Sequence, residues 1–305
     1  MIDHVVKPTQ SIVSRPLINR TNQLRLQRTL QKLPGTLFSY GWLILISIFT
    51  AGPFLWIVST SFKTRDEVFT ITPTLIPNHP TLANYQYILT QTPALRFFLN
   101  SVIIACGTML LAILLTTLGA YALSRFNFRY RRSIGVWLIT GQMIPGVVTL
   151  IPLFVLFTQL HLINSYFGLI MANTIAVLPF CVWMLKGYFD TVPKDLEEAA
   201  MIDGCSRVGA IRRVFLPMAA PGITSVALFS FTSAWQEFMF ALTMMKDPSM
   251  YPMSVGINFF VGMGGTVAWG NIMAMAVLII VPSLIFFLFL QRYLISGLTA
   301  GAVKA

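Results

Sequence analysis

Charge is what this sequence has least of. Only 10% of its 305 residues are Asp, Glu, Lys or Arg, against 56% in the hydrophobic class, where an ordinary soluble domain carries roughly 25% charged residues. So little polar surface excludes a water-soluble globule, because most apolar side chains must then face lipid or one another. Cysteine is equally sparse. Cys106, Cys181 and Cys205 lie far apart with no CxxC spacing and no histidine close by, which excludes a disulfide framework and a zinc site. Acidic residues number 10 against 21 Lys and Arg, for a net charge of +11. The basic residues sit between apolar runs and form no continuous face, so nucleic acid is excluded as a partner.

The chain also lacks the parts of a catalytic centre. His4, His79 and His161 have no acid at ligand spacing, HExxH is missing, and no nucleophile and base stand together in an apolar run. GxxxxGK[ST] is missing too, so no nucleotide, metal or other cofactor site is expected in this chain. An enzyme is not expected.

What the sequence has instead is long apolar stretches: 37–62, 97–123, 134–160, 166–185, 222–245 and 272–290. Each is near the ~20 residues that cross a bilayer as a helix, which predicts an all-α, polytopic membrane protein with six transmembrane helices. Alternate connecting segments (1–36, 124–133, 186–221 and 291–305) hold 17 of the 21 Lys and Arg. Because these residues resist translocation, both termini are expected in the cytoplasm. The arm 1–36 is polar and basic, so a cleavable signal is not expected. Within it Leu26, Leu30 and Leu33 oppose Arg25, Arg28 and Lys32, a pattern shared by a helix on an anionic leaflet and by a solvated tail.

Proline interrupts several predicted spans, at Pro53, Pro145, Pro152, Pro179 and Pro282, each removing a ladder hydrogen bond. Glu237 is the only charge within a span; an intramembrane carboxylate marks Trp235, Gln236 and Glu237 as candidate pathway residues. An ion-coupled carrier would need more such groups and an inverted repeat, neither of which is evident. The outer loop 246–270 gathers Gly256, Gly262, Gly264 and Gly265 among Phe259, Phe260 and Trp269, and the outer loop 63–96 is long and proline-rich enough to receive a partner.

The segment 190–222, DTVPKDLEEAAMIDGCSRVGAIRRVFLPMAAPG, is the most informative. Pro193 suits a first helical turn, Asp195, Glu197 and Glu198 suit the positive end of its dipole, and Gly204 supplies a stop. Ser206 can cap a second short helix that ends near Pro217. Leu196, Ala199, Ala200 and Asp203 share one face of the first helix, small enough for a partner to approach closely.

Glu198, Ala199, Ala200, then Gly204, then Val214 to Pro217 including Leu216, resembles the EAA signature of permeases in binding-protein-dependent ABC importers. Phe98-Leu99-Asn100-Ser101, the stretch Ala120 to Phe126 and the ending Gly297 to Lys304 are similar to the carbohydrate branch, of maltose-permease type, and to the shorter of its two permease subunits. The resemblance implies a type I permease bundle over 37–305, with its core at about 97–291, the coupling loop at 190–222 and a cytoplasmic tail at 291–305. It implies residence in a bacterial inner membrane with a second permease, a pair of ATPases that bind ATP and Mg, and an extracytoplasmic solute-binding protein. Glu198 would pair with an arginine of the ATPase, and Gly262, Gly264 and Gly265 would lie in the loop that meets the binding protein. The solute expected is a sugar or sugar-like molecule such as a disaccharide, oligosaccharide or glucosyl-polyol; a glycerophosphodiester or other non-sugar solute is the alternative.

Overall fold

The fold, a computed structural model, describes residues 18–261 and 267–302, with side chains over 38–261 and 267–291. Gly262, Gly264 and Gly265 lie outside the described residues. In chain order the α-helices are α1 (Ile18–Ser61), α2 (Arg65–Val68), α3 (Ala83–Gln91), α4 (Ala94–Arg125), α5 (Arg131–Gly141), α6 (Gly146–Gln159), α7 (Tyr166–Thr191), α8 (Lys194–Ile202), α9 (Arg207–Ala210), α10 (Leu216–Met218), α11 (Ala220–Gln236), α12 (Met239–Met244), α13 (Met253–Gly256) and α14 (Trp269–Ala302). A π-helical segment, Ile211–Phe215, joins α9 to α10. Two features cross the boundaries drawn from sequence: α1 runs unbroken through residue 37, and α14 continues through most of the 291–305 tail.

Contacts divide the chain into two units, Met1–Trp56 and Ile57–Ala305. In the first, Phe38, Trp42, Ile48 and Phe49 are all exposed, the condition of a helix whose apolar surface is left for lipid or other helices. The second is built around α4, which packs on α7 and α11, while α14 packs on α11 and α3. Small residues make this possible. Ala105, Thr108, Ala112, Thr116 and Ala120 recur every three or four residues on α4 and are fully buried, so the helix backbones approach closely without a hydrophobic drive between them.

Four helices among the described residues are long and apolar enough to cross a membrane: Phe38–Ser61, Ala94–Arg125, Tyr166–Thr191 and Trp269–Gln291. Two bent pairs bring the number to six if each is one span. The first falls on the span expected over 134–160: α5 and α6 meet at 102°, at the break where Pro145, one of the prolines expected to interrupt that span, is extended between Gln142 and Gly146. The second pair bends by 72° between Met218 and Ala220, where the span expected to start at Gly222 begins.

That expected span, 222–245, also breaks internally. Glu237 is extended, and its Oε1 and Oε2 accept from the backbone N–H groups of Phe240 and Ala241 at 2.6 and 2.9 Å. An unbroken helix would give those N–H groups to the carbonyls four residues earlier. The carboxylate replaces them, ending α11 and starting α12.

Candidate functional site

The 190–222 loop is a helix, a tight turn and a second helical segment. Asp195 and Glu197 occupy the first turn of α8, where the dipole favours negative charge. At its other end Gly204 adopts φ +92°, its N–H donates to the Met201 carbonyl at 3.1 Å, and that of Cys205 donates to the Ala200 carbonyl at 3.0 Å. These two bonds form a Schellman stop, for which the left-handed residue is ordinarily glycine. Ser206 follows as N-cap of α9, its Oγ accepting from Gly209 N–H at 3.2 Å.

The two glutamates of the loop part company. Glu198 is exposed together with Ala199, whereas Glu197 and Ala200 are buried. Ala200 therefore packs inward and does not share an open face with Ala199, as the helical spacing had suggested. The surface left open is Leu196, Glu198, Ala199, Ile202, Asp203 and Val208, with Ile202 86% and Val208 73% exposed. An apolar pair of that exposure beside a carboxylate is a surface suited to a partner with an apolar cleft and a cation. Gly204 and Pro217 are exposed, and Leu216 is half-buried.

Inward, the loop rests on the end of α4. Arg125 Nε meets Glu197 Oε1 at 2.5 Å, with the two side chains only 8% and 10% exposed. The Tyr121 hydroxyl donates to Glu197 Oε2 at 2.8 Å, and Arg125 Nη2 donates to the Val192 carbonyl at 2.9 Å. The guanidinium also lies 4.7 Å from the centre of the Phe215 ring, which packs edge-on against Phe189 and Tyr121. Sequence reasoning missed this cluster. The available signal was a basic residue closing one apolar run and a doubled glutamate in the next basic loop, a pairing that spacing alone does not reveal.

At the opposite end of α4, Asn100 is buried and fully bonded. Its Nδ2 donates to the carbonyls of Ser249 and Tyr251, both at 2.9 Å, and its Oδ1 accepts from the Tyr166 hydroxyl at 2.8 Å. Ser101 Oγ accepts from Met253 N–H at 2.8 Å. A Cβ on Gly256 would fall 2.3 Å from Cδ2 of the buried Phe97 ring, so only glycine allows this approach. Residues 249–256 of this loop are thus tied to α4 by side chains that the loop's own sequence did not identify.

The three candidate pathway residues have different surroundings. Trp235 is buried and donates from Nε1 to the Ile279 carbonyl at 3.0 Å, Gln236 is exposed, and Glu237 caps α12.

Comparison with known proteins places this geometry. Residues 112–299 match the family model of the binding-protein-dependent transport system inner membrane component. The chain is 40% identical over 252 residues to the sulfoquinovosyl glycerol transport system permease protein SmoH of Agrobacterium fabrum, spanning 83% of this chain and 88% of that one. It is 39% identical over 264 residues to the trehalose/maltose transport system permease protein MalG of Thermococcus litoralis, spanning 86% and 94%. Its fold matches a chain of a bacterial ABC transporter involved in import of the acidic polysaccharide alginate, with TM-score 0.75 and 20% identity, covering 86% of this chain and 97% of that one.

Proposed function

Since this chain belongs to the family of binding-protein-dependent transport system inner membrane components, we propose that it is the sugar-translocating permease subunit of an ATP-driven importer. The relatives named for a sulfoquinovosyl glycerol and for trehalose and maltose support a sugar or sugar-bearing solute. The observation that carries the assignment is the open face of the 190–222 loop, where Glu198 and Ala199 stand beside exposed Ile202 and Val208. ATP and Mg bind to a separate ATPase pair. Its closure pulls on this face and shifts the bundle between inward-facing and outward-facing states.

The charge distribution supports a cytoplasmic position for both termini and for the 190–222 loop, and an outer position for 63–96 and 246–270. A second related permease completes the pathway, and a solute-binding protein delivers the solute at the outer loops. Chemistry stays with the ATPases; this chain supplies the path and the mechanical link.

The test is reconstitution of the chain with its second permease and ATPase in lipid, with ATP hydrolysis measured as binding protein and solute are added. Disaccharides or glucosyl-polyols are expected to stimulate hydrolysis and to enter the vesicle. Stimulation by glycerophosphodiesters alone would overturn the sugar assignment.

A further inference from the structure

The junction between α7 and α8 is held from both sides by two adjacent residues of α4. Before it, Ser124 Oγ donates to Asp190 Oδ1 at 2.7 Å. At it, Arg125 Nη2 donates to the carbonyl of Val192, the extended residue between the two helices. Beyond it, Arg125 Nε meets Glu197 Oε1 on α8, and Tyr121 Oη holds the other carboxylate oxygen. One guanidinium therefore bonds both the hinge and the helix that would swing about it. Its planar fork makes this possible, whereas a lysine ammonium is a single point.

We propose that Arg125 and Glu197 are positioning residues that lock α8 to α4, so that force applied to the loop moves α4 instead of pivoting α8 about Val192 and Pro193. The inference rests on the proposed reading of the loop as the ATPase contact and concerns residues facing away from that contact. Its consequence follows from the packing: α4 lies against both α7 and α11, so a displaced α4 carries the bundle core with it. A freed α8 can still dock through Glu198, Ile202 and Val208. The ATPase then closes and hydrolyses ATP while its motion is absorbed at the hinge.

The pair is buried, so ionised partners attract strongly and an abandoned one is poorly solvated. Removing Arg125 leaves the Glu197 carboxylate with Tyr121 as its remaining donor among the described residues; removing Glu197 leaves the guanidinium on the Val192 carbonyl, Ser124 Oγ and the Phe215 ring. Both changes loosen the same joint.

The experiment uses the reconstituted complex and two readouts: solute moved per ATP hydrolysed, and the distance distribution between spin labels at Lys194 on α8 and Leu118 on α4, both exposed. The labelled chain has Cys106, Cys181 and Cys205 replaced. Arg125→Ala is expected to co-purify with the ATPase and retain basal hydrolysis, to move on the order of tenfold less solute per ATP, the scale of a typical coupling free energy, and to broaden the label distances. Arg125→Lys should recover only part of the ratio. An unchanged ratio with unchanged distances in Arg125→Ala would overturn the proposal. If that variant fails to assemble, Glu197→Gln decides by the same readouts, since it keeps the shape and loses the charge. A wild-type complex that no solute stimulates would instead strike the proposed function, and the label distances, which need no solute, would still judge the lock.

Discussion

Glu197 and Glu198 are neighbours in the chain and opposites in environment: Glu197 is buried against Arg125 at 2.5 Å, and Glu198 points into open solvent. The arrangement divides the loop into an inward half that holds and an outward half free to dock.

If Glu198 pairs with an arginine in the ATPase cleft, Glu198→Lys removes that pair and adds repulsion. A loss of about 2 kcal/mol, below the roughly 3–5 of a fully buried pair, weakens docking roughly 30-fold. Gly204→Val acts differently. Nothing lies within 4 Å of a Cβ there, so its cost is the left-handed backbone, about 1–2 kcal/mol, relieved by re-aiming α9. Both variants should reach the membrane with reduced ATPase co-purification, and reversing the ATPase arginine should rescue only Glu198→Lys. Normal uptake by Glu198→Lys would remove the residue from the contact.

Orientation is checked by labelling. In a chain lacking its native cysteines, Thr70→Cys should react with an impermeant thiol reagent added to intact cells, and Ser206→Cys should not. Both positions are exposed, so access depends on the side of the membrane. Labelling of Ser206→Cys from outside would invert the topology.

As a cap, Glu237 should affect stability more than transport. Glu237→Gln keeps one carbonyl acceptor and loses the other, a cost of about 1 kcal/mol, and Glu237→Ala loses both, about 2 kcal/mol. Melting temperature in detergent should fall in that order while uptake per folded molecule holds. A normally melting Glu237→Gln without uptake would assign the carboxylate to the pathway.

Asn100→Asp exchanges an amide donor for a carboxylate facing the Ser249 and Tyr251 carbonyls. Leaving buried groups unsatisfied costs about 1–3 kcal/mol each. Tyr166→Phe removes only the bond to Oδ1 and should cost about 1 kcal/mol. We expect the Asp variant to expose the 246–270 loop to protease first. Equal protease resistance of wild type and Asn100→Asp would mean that the loop is held elsewhere.

Glu67, in the short helix α2, accepts from Asn78 N–H at 2.7 Å. That bond foremost holds its carboxyl below the usual carboxylate range; burial opposes it, and His79 N–H, Thr74 and Lys63 reinforce it. A depressed folded value contributes stability that is complete above the unfolded value, about 4.3, and is lost as pH falls through the folded one. Hydrogen-exchange protection at Asn78 should therefore drop below about pH 4 in the wild type, and be low and flat with pH in Glu67→Gln. Identical protection in both proteins would exclude the carboxylate as anchor.

The sequence by itself determined what is one-dimensional about this protein. Apolar run length requires helices that satisfy their own backbone in lipid. Gly204 and Ser206 announce a helix stop and a helix start because each acts on backbone within three or four residues of itself. Only the tertiary structure decided which glutamate faces inward, because Arg125 and Glu197 are 72 residues apart and two consecutive acids on a helix are equivalent until something packs on one side. The same holds for Asn100, whose carbonyl partners lie 149 and 151 residues away. Glu237 falls between these cases: its contacts are local, yet an apolar run reads as one helix unless a side chain outcompetes the ladder for two N–H groups. Whether it does depends on the packing of α11 and α12 against their neighbours.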